Sequence, residues 1–255
     1  MPPDTVWFIF HGSSLLLRRE PGGGSVLPVT QAPPVSPAGI LHRLGLHRGL
    51  PCVAYAAQQT PDPKEWDSPD LRAAYGLIEL VLHPFANKAF ELIHWDRQSR
   101  YCPACGVPTR SATAISKSCP VCGREIFPTL TPAVLVLVRK GDSILLAHAR
   151  TFKGPFYSIL AGYLEAGESL EECVRREVFE ETGITVGNIT YFGSQPWPFP
   201  SNLMVGFVAD YESGELKLQE NELESGDFYT RDKLPQLPGR FSLSRRMIDW
   251  WCEQG

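Results

Sequence analysis

Residues 162–184 read GYLEAGESLEECVRREVFEETGI, a loop feeding a helix. Ser169 is a natural helix cap, and Glu171 and Glu172 follow it where negative charge suits the positive helix end. Thr182-Gly183 stops the helix, because glycine readily takes the left-handed C-cap conformation. At 100° per residue, Glu177, Glu180 and Glu181 fall within an arc of roughly 100° in the last turns. Leu170, Val174 and Val178 overlap and flank that arc, so the carboxylates sit beside a face that wants burial. Three crowded carboxylates repel one another, and they lie at the negative end of the helix. A hard divalent cation relieves both problems; Mg2+ prefers oxygen ligands and bridging phosphates. The plainer alternative is a solvated acidic face.

Gly162, Glu168, Arg176, Glu177, Glu180, Glu181 and Gly183 have the spacing G-x5-E-x7-R-E-x2-E-E-x-G. This resembles the Nudix box, the signature of enzymes that hydrolyse nucleoside diphosphates linked to another group. The resemblance implies an α/β fold, a mixed sheet sandwiched between helices.

The chain has 255 residues, enough for two domains or a domain plus a small module. We expect an N-terminal α+β domain at 1–98, a zinc ribbon at 99–127 and the hydrolase domain at 128–255. A net charge of −4 argues against a broad nucleic-acid-binding surface, though not against a local patch. No apolar run reaches the ~18 residues a membrane helix needs. The start, MPPDTVWFIF, lacks the basic and long apolar regions of a signal peptide, so a cytoplasmic protein is expected.

In the first region Val6–Phe10, Ser13–Leu17 and Cys52–Ala57 read as strands, and residues 21–39 as loop. Asp67–Leu82 reads as a helix, with start signals at Ser68, Pro69 and Asp70; a second helix spans Pro84–Ser99. After residue 127, Pro132–Arg139 and Ser143–Ala149 form a hairpin about Gly141-Asp142, and Tyr157–Leu160 leads into the box. Beyond the box, Thr185–Gly193, Leu203–Asp210 and the shorter Glu215–Leu218 read as strands. Asp227–Arg231 precedes a turn, and Leu243–Trp251 is a closing amphipathic helix.

Four of the seven cysteines form two CxxC pairs, Cys102/Cys105 and Cys119/Cys122, each followed by glycine. Such pairs point to a reducing compartment and metal binding rather than disulfides. Two knuckles supply a tetrahedral four-sulfur site suited to Zn2+, and a closed site is structural. It would pin the join between the halves; a nucleic-acid-binding ribbon is the rival role, with Arg100, Arg110, Lys117 and Arg124 only a modest basic set.

Ten residues after the box comes Ser194-Gln195-Pro196-Trp197-Pro198-Phe199-Pro200. Three prolines alternating with aromatics make a stiff extended loop, suited to stacking a flat ring or equally to plugging a core. This array is similar to the defining one of the NADH pyrophosphatase family, the NudC-type hydrolases of NAD-capped RNA. The ribbon before the box and the overall length are further family features. One departure is that the family generally ends the array P-x-S, where this chain has Pro200-Ser201-Asn202.

The resemblance implies roles residue by residue. Glu177, Glu180 and Glu181 hold the catalytic Mg2+ or Mn2+, with Glu181 activating or orienting water. The Ala161 carbonyl and Glu222 complete the ligand set. Phe127 and Tyr163 sandwich the nicotinamide. Gln195, Pro196, Trp197, Pro198, Phe199, Pro200, Ser201 and Asn202 line the dinucleotide site, with Trp197 the main stacking residue. Ser244 offers a backbone contact and Arg72 reaches a phosphate. Glu168 and Arg176 pair to fix the loop on the helix. The expected reaction splits NAD(H) into NMN(H) and AMP, and NAD-capped RNA into NMN and 5′-monophosphate RNA, in a homodimer without membrane association. The alternatives are a Nudix pyrophosphatase for ADP-ribose or related nucleotides, and an inactive zinc-ribbon protein that binds nucleic acid.

Overall fold

The computed structural model describes residues 3–254; Met1, Pro2 and Gly255, the outermost residues of the expected domains, lie outside the described residues. The chain divides into two compact units, Met1–Thr129 with Pro198–Pro200, and Leu130–Trp197 with Ser201–Gly255.

The first unit begins with β1 (Thr5–His11) and β2 (Ser14–Arg19), then the two-residue strands β3 (Ser25–Val26) and β4 (Val29–Thr30). It continues with β5 (His42–His47), β6 (Leu50–Ala56) and β7 (Trp66–Asp67). The sheet runs β3-β2-β1-β6-β5, with β4 beside β1 and β7 beside β2. The helical elements are the single-turn α1 (Leu71–Ala74), a 3-10 turn at Leu80–Leu82 and the longer α2 (His83–Gln98). Strand alternation divides β1 between two cores. Phe8 and Phe10 meet Phe85 and Phe90 of α2, while Trp7 and Ile9 join Tyr55 and Trp66 on the other face. A three-stranded ribbon, β8 (Arg110–Thr113), β9 (Ser116–Ser118) and β10 (Glu125–Ile126), completes the unit.

Two expectations fail here, and one strand was missed. Asp67–Leu82 is not one helix. Asp70 does cap α1, its side chain accepting from Ala73 N, but Gly76 weakens continuation. Leu77 and Leu80 would extend the stripe, yet they are exposed, so no packing rewards a longer helix. Residues 21–39 are not all loop, since they contribute β3 and β4. Strand β5 was not foreseen, its apolar pattern being broken by Gly45 and two histidines.

The second unit contains β11 (Thr131–Lys140), β12 (Ser143–Ala149), β13 (Leu160–Tyr163), α3 (Leu170–Thr182), β14 (Ile184–Trp197), β15 (Asn202–Gly214), β16 (Leu223–Thr230) and α4 (Leu243–Glu253). The sheet order is β14-β15-β11-β12-β16, with β13 also on β11; β11 and β15 are parallel and the other pairs antiparallel. Period-two alternation along β11 sorts the faces. Val134, Val136 and Val138 pack with Val174 and Val178 of α3. Leu135 and Leu137 pack with Leu243, Met247 and Trp251 of α4. The result is the expected α/β/α sandwich.

Two readings change. Ser194–Trp197 is not loop but the end of β14, paired with β15. Prolines are tolerated there because β14 is an edge strand. Glu215–Leu218 is not a strand. Its segment instead closes the end of α3, with Lys217 N donating to Thr182 O (2.9 Å) and Gln219 N to Glu181 O (2.8 Å). Those carbonyls have no partner within the helix, so the crossing segment satisfies them.

Candidate active site

The box helix forms as its sequence dictates. Ser169 and Glu172 make a reciprocal capping box, and Gly183 ends the helix with φ 69°. Strand β13 places Gly162 opposite Val134, so the box starts inside the sheet and α3 returns over it.

Arg176 organises the acids. Its Nε and Nη2 reach Glu168 at 2.5 and 2.9 Å, a two-pronged pairing that holds the Glu168 carboxyl down at about 2. Its Nη1 also touches Glu177 (2.8 Å) and Glu180 (3.0 Å), and Nη2 donates to Tyr163 O (2.9 Å). One guanidinium therefore ties the loop to the helix and offsets part of the carboxylate repulsion. That second task was not foreseen.

Glu181 is only 5% exposed, and its Oε2 is buried without a hydrogen-bond partner. Burial, then the charges of Glu177, Glu222 and Glu180, push its carboxyl up to about 8. Glu177 is also raised, by burial first, against the lowering effect of Arg176. A cleft of about 290 Å3 is lined by Ala161, Glu181 and Glu222, with Thr151 and Phe152 on its wall. The sheet thus brings Glu181 together with Ala161 on β13, 20 residues before it in sequence, and with Glu222, immediately before β16 and 41 residues after it. Glu180 is half exposed and faces Arg176 instead. An orphaned buried carboxylate oxygen beside further carboxylates is a donor set that fits a hard divalent cation.

Phe152 was missed. Its ring stacks on Phe156 (centroids 4.4 Å apart) and meets His148 edge-on. The signal was there in TFKGPFY, aromatics flanking a Gly-Pro turn.

The substrate-lining set divides between the two units. Tyr163 is half exposed, and its hydroxyl accepts from Asn202 Nδ2 at 3.3 Å. Trp197 stacks on Phe241 (5.9 Å, 11°), so part of its ring is engaged within the fold. Gln195 gives its amide to the start of α4: Nε2 donates to Phe241 O (2.9 Å) and Oε1 accepts from Leu243 N (2.6 Å). That use explains the residue structurally, whatever else it touches. Pro196 pairs across to Leu203, and Ser201 O accepts from Thr131 N. Ser244 is buried, its hydroxyl 3.1 Å from that of Ser242. Pro198, Phe199 and Pro200 belong with the first unit. There the Arg72 guanidinium lies 4.3 Å over the Phe199 ring, a cation–π contact, with Phe90 6.3 Å from it. Phe127 is in the same unit, half exposed.

The four ribbon cysteines bring their sulfurs within 4.8 Å of one another, with pairs at 3.4, 3.6 and 3.8 Å. A tetrahedron of ~2.3 Å Zn–S bonds has edges of roughly 3.8 Å, so the cluster fits structural zinc. Backbone N–H groups of Cys122 and Val121 lower the Cys119 thiol to about 6, favouring the thiolate a metal needs.

A mixed sheet between two helices, with paired glutamates on the box helix over the central strand, defines a Nudix hydrolase domain. The sequence profile of the NUDIX domain matches residues 129–251, and that of the NADH pyrophosphatase-like rudimentary NUDIX domain matches residues 4–95. The NAD-capped RNA hydrolase NudC of Chromobacterium violaceum is 36% identical over 97% of this chain and 92% of its own length. The NudC of Haemophilus influenzae is 38% identical over 95% and 90%. The chain therefore belongs to the NudC family of Nudix hydrolases. A NUDIX hydrolase structure from Nitrosomonas europaea shares the fold at TM-score 0.52 and 18% identity, covering 61% of this chain and 91% of that one.

Proposed function

We propose that this chain hydrolyses the pyrophosphate bond of NAD(H), releasing NMN(H) and AMP. By the same reaction it removes the NAD cap from RNA, leaving a 5′-monophosphate end. The observation that carries the reading is the unpartnered, buried Glu181 carboxylate on a cleft shared with Glu222 and Ala161. Full-length similarity to NAD-capped RNA hydrolases supports the substrate class.

Glu177, Glu180, Glu181, Glu222 and the Ala161 carbonyl would hold Mg2+ or Mn2+. When bound, these ions neutralise diphosphate charge and make a water more acidic. Glu181, ionised when the ions are bound, accepts the proton of the attacking water on a carboxylate oxygen. Arg176 keeps the neighbouring acids in place as the water attacks phosphorus in line with the leaving phosphate. Tyr163, oriented by Asn202, offers a ring for the nicotinamide. The Cys102, Cys105, Cys119 and Cys122 set would hold Zn2+, which would keep the ribbon folded.

Among the described residues no helix is long and apolar enough to cross a membrane. A homodimer is part of the reading; Leu46, Leu80 and Val81, exposed by 68%, 75% and 53% on the first unit, are apolar surface that such an interface would cover. Product analysis with NADH, NAD-capped RNA and ADP-ribose, each with Mg2+ or Mn2+, tests the reaction. NMNH and AMP are expected from NADH. Preferential turnover of ADP-ribose would overturn the substrate assignment. Light scattering of the purified protein tests the dimer.

A further inference from the structure

The second unit carries a second cleft, of about 440 Å3, at the far end of β11 from the box. Val134 lies opposite Gly162, and Lys140 ends the same strand, roughly 20 Å further along at ~3.3 Å per residue. The proposed reaction uses none of the residues there.

Three cations meet at this cleft. Arg139 is matched, its Nη2 and Nε reaching Asp210 Oδ1 at 2.8 and 2.9 Å. Lys140 forms no ion pair among the described residues; its ammonium sits 4.0 Å from the centre of the Tyr211 ring. Arg231 lies 4.2 Å over Trp251, and its only carboxylate neighbour among the described ion pairs is Asp142, 3.9 Å away and 98% exposed. One exposed acid thus faces Arg231, and Lys140 has no carboxylate partner among the described ion pairs, on a chain whose net charge is −4. Trp250 lines the same cleft, its indole braced edge-on by Phe192.

Cation–π pairs on a surface are often packing alone. Here they converge in a concavity of ligand size, beside a half-buried indole. Arg231 offers the Nη1 edge of its guanidinium, its Nη2 already donating to Trp251 O at 3.3 Å; Lys140 offers a point charge and Trp250 a flat apolar surface. We propose that this cleft is a second anion site, binding the phosphate of a nucleotide with its base against Trp250. Two sources share that chemistry: a free nucleoside monophosphate, and a nucleotide in the body of an RNA. Only the RNA source rests on the reading of the substrate given above.

The test is titration of tryptophan fluorescence with AMP and, separately, with an uncapped 5′-monophosphate oligoribonucleotide, in EDTA, for wild type and Lys140→Glu. Lys140 is exposed at a strand end, so the variant should fold, and NADH turnover with Mg2+ should stay at the wild-type value. The expected result is roughly tenfold weaker binding, the loss of one charge-assisted contact, with a shallower salt dependence. Weakening with both ligands identifies a site for free nucleotide; weakening with the oligoribonucleotide alone identifies a site for the RNA body. Titrations that do not distinguish Lys140→Glu from wild type for either ligand overturn the proposal. Wild-type protein that leaves NADH uncut would refute the reaction, yet the binding comparison would still decide the site.

Discussion

The Glu177 carboxylate rests against the α-carbon of Gly162, in the space that any side chain at position 162 would fill. The obstruction is the flexible end of a side chain, so Gly162→Ala should fold while Glu177 swings away. Misplacing such a group costs on the order of 100-fold in rate. We expect kcat to fall by about that factor, with weaker Mn2+ binding by calorimetry and a melting temperature within a few degrees. Wild-type turnover in the variant would show that Glu177 need not stand where it does.

Glu181 sets a pH dependence of stability. Its carboxyl is raised from 4.5 to about 8, so the folded protein keeps a proton that the unfolded chain releases. The stability it supplies is full below about 4.5 and is lost as pH rises through about 8. Glu91, raised by burial to about 7, acts with the same sign. His42 and His94, lowered by burial, change stability only below their ordinary 6.5; Cys119, lowered to about 6, would act in the opposite sense across this range unless its thiolate is held by zinc, so in zinc-loaded protein the interval from 6.5 to 8 reports the acids. Zinc-loaded protein free of Mg2+ and Mn2+ should therefore melt at progressively lower temperature across that interval. Glu181→Gln should flatten the fall and abolish turnover, and Mg2+ should flatten it in wild type. Identical pH profiles for the variant and wild type would remove Glu181 from this account.

Cys119→Ser should lose zinc and melt several degrees lower, since one ligand is removed from a closed four-sulfur site. Turnover of NADH by the protein that remains folded should stay within a few-fold. Unchanged zinc content by atomic absorption would contradict the four-cysteine assignment.

Lys117 is 6% exposed and bonds both Asp96 Oδ1 (2.6 Å) and Asp96 O (2.8 Å) at the end of α2, under the Trp95 ring. Removing one partner strands a buried charge. Lys117→Ala should cost about 3–5 kcal/mol in urea unfolding. A loss below about 1 kcal/mol would mean the pair is hydrated in solution.

Asn202→Ala releases the Tyr163 hydroxyl from its bond. KM for NADH should rise roughly tenfold with kcat little changed, as for loss of a positioning hydrogen bond. A fall in kcat with KM unchanged would place Asn202 in the chemistry rather than in binding.

Local rules made much of this molecule legible. Ser169, Glu172 and Gly183 act within one helix, so sequence neighbours alone fix α3, and the box spacing fixes which carboxylates share its face. The two CxxC knuckles are equally local, each needing only a turn. The residues that misled are those whose partners are distant. Asp67–Leu82 has helical spacing but no surface to bury its later leucines. Ser194–Trp197 looks like loop, and is strand because β15 lies beside an edge that tolerates proline. Only tertiary structure could orphan Glu181 beside Glu222, engage Gln195 at the start of α4, or set Glu177 on a glycine fifteen positions before it. Hydrogen bonding and burial across such separations depend on which strands meet, and no short stretch of sequence encodes that.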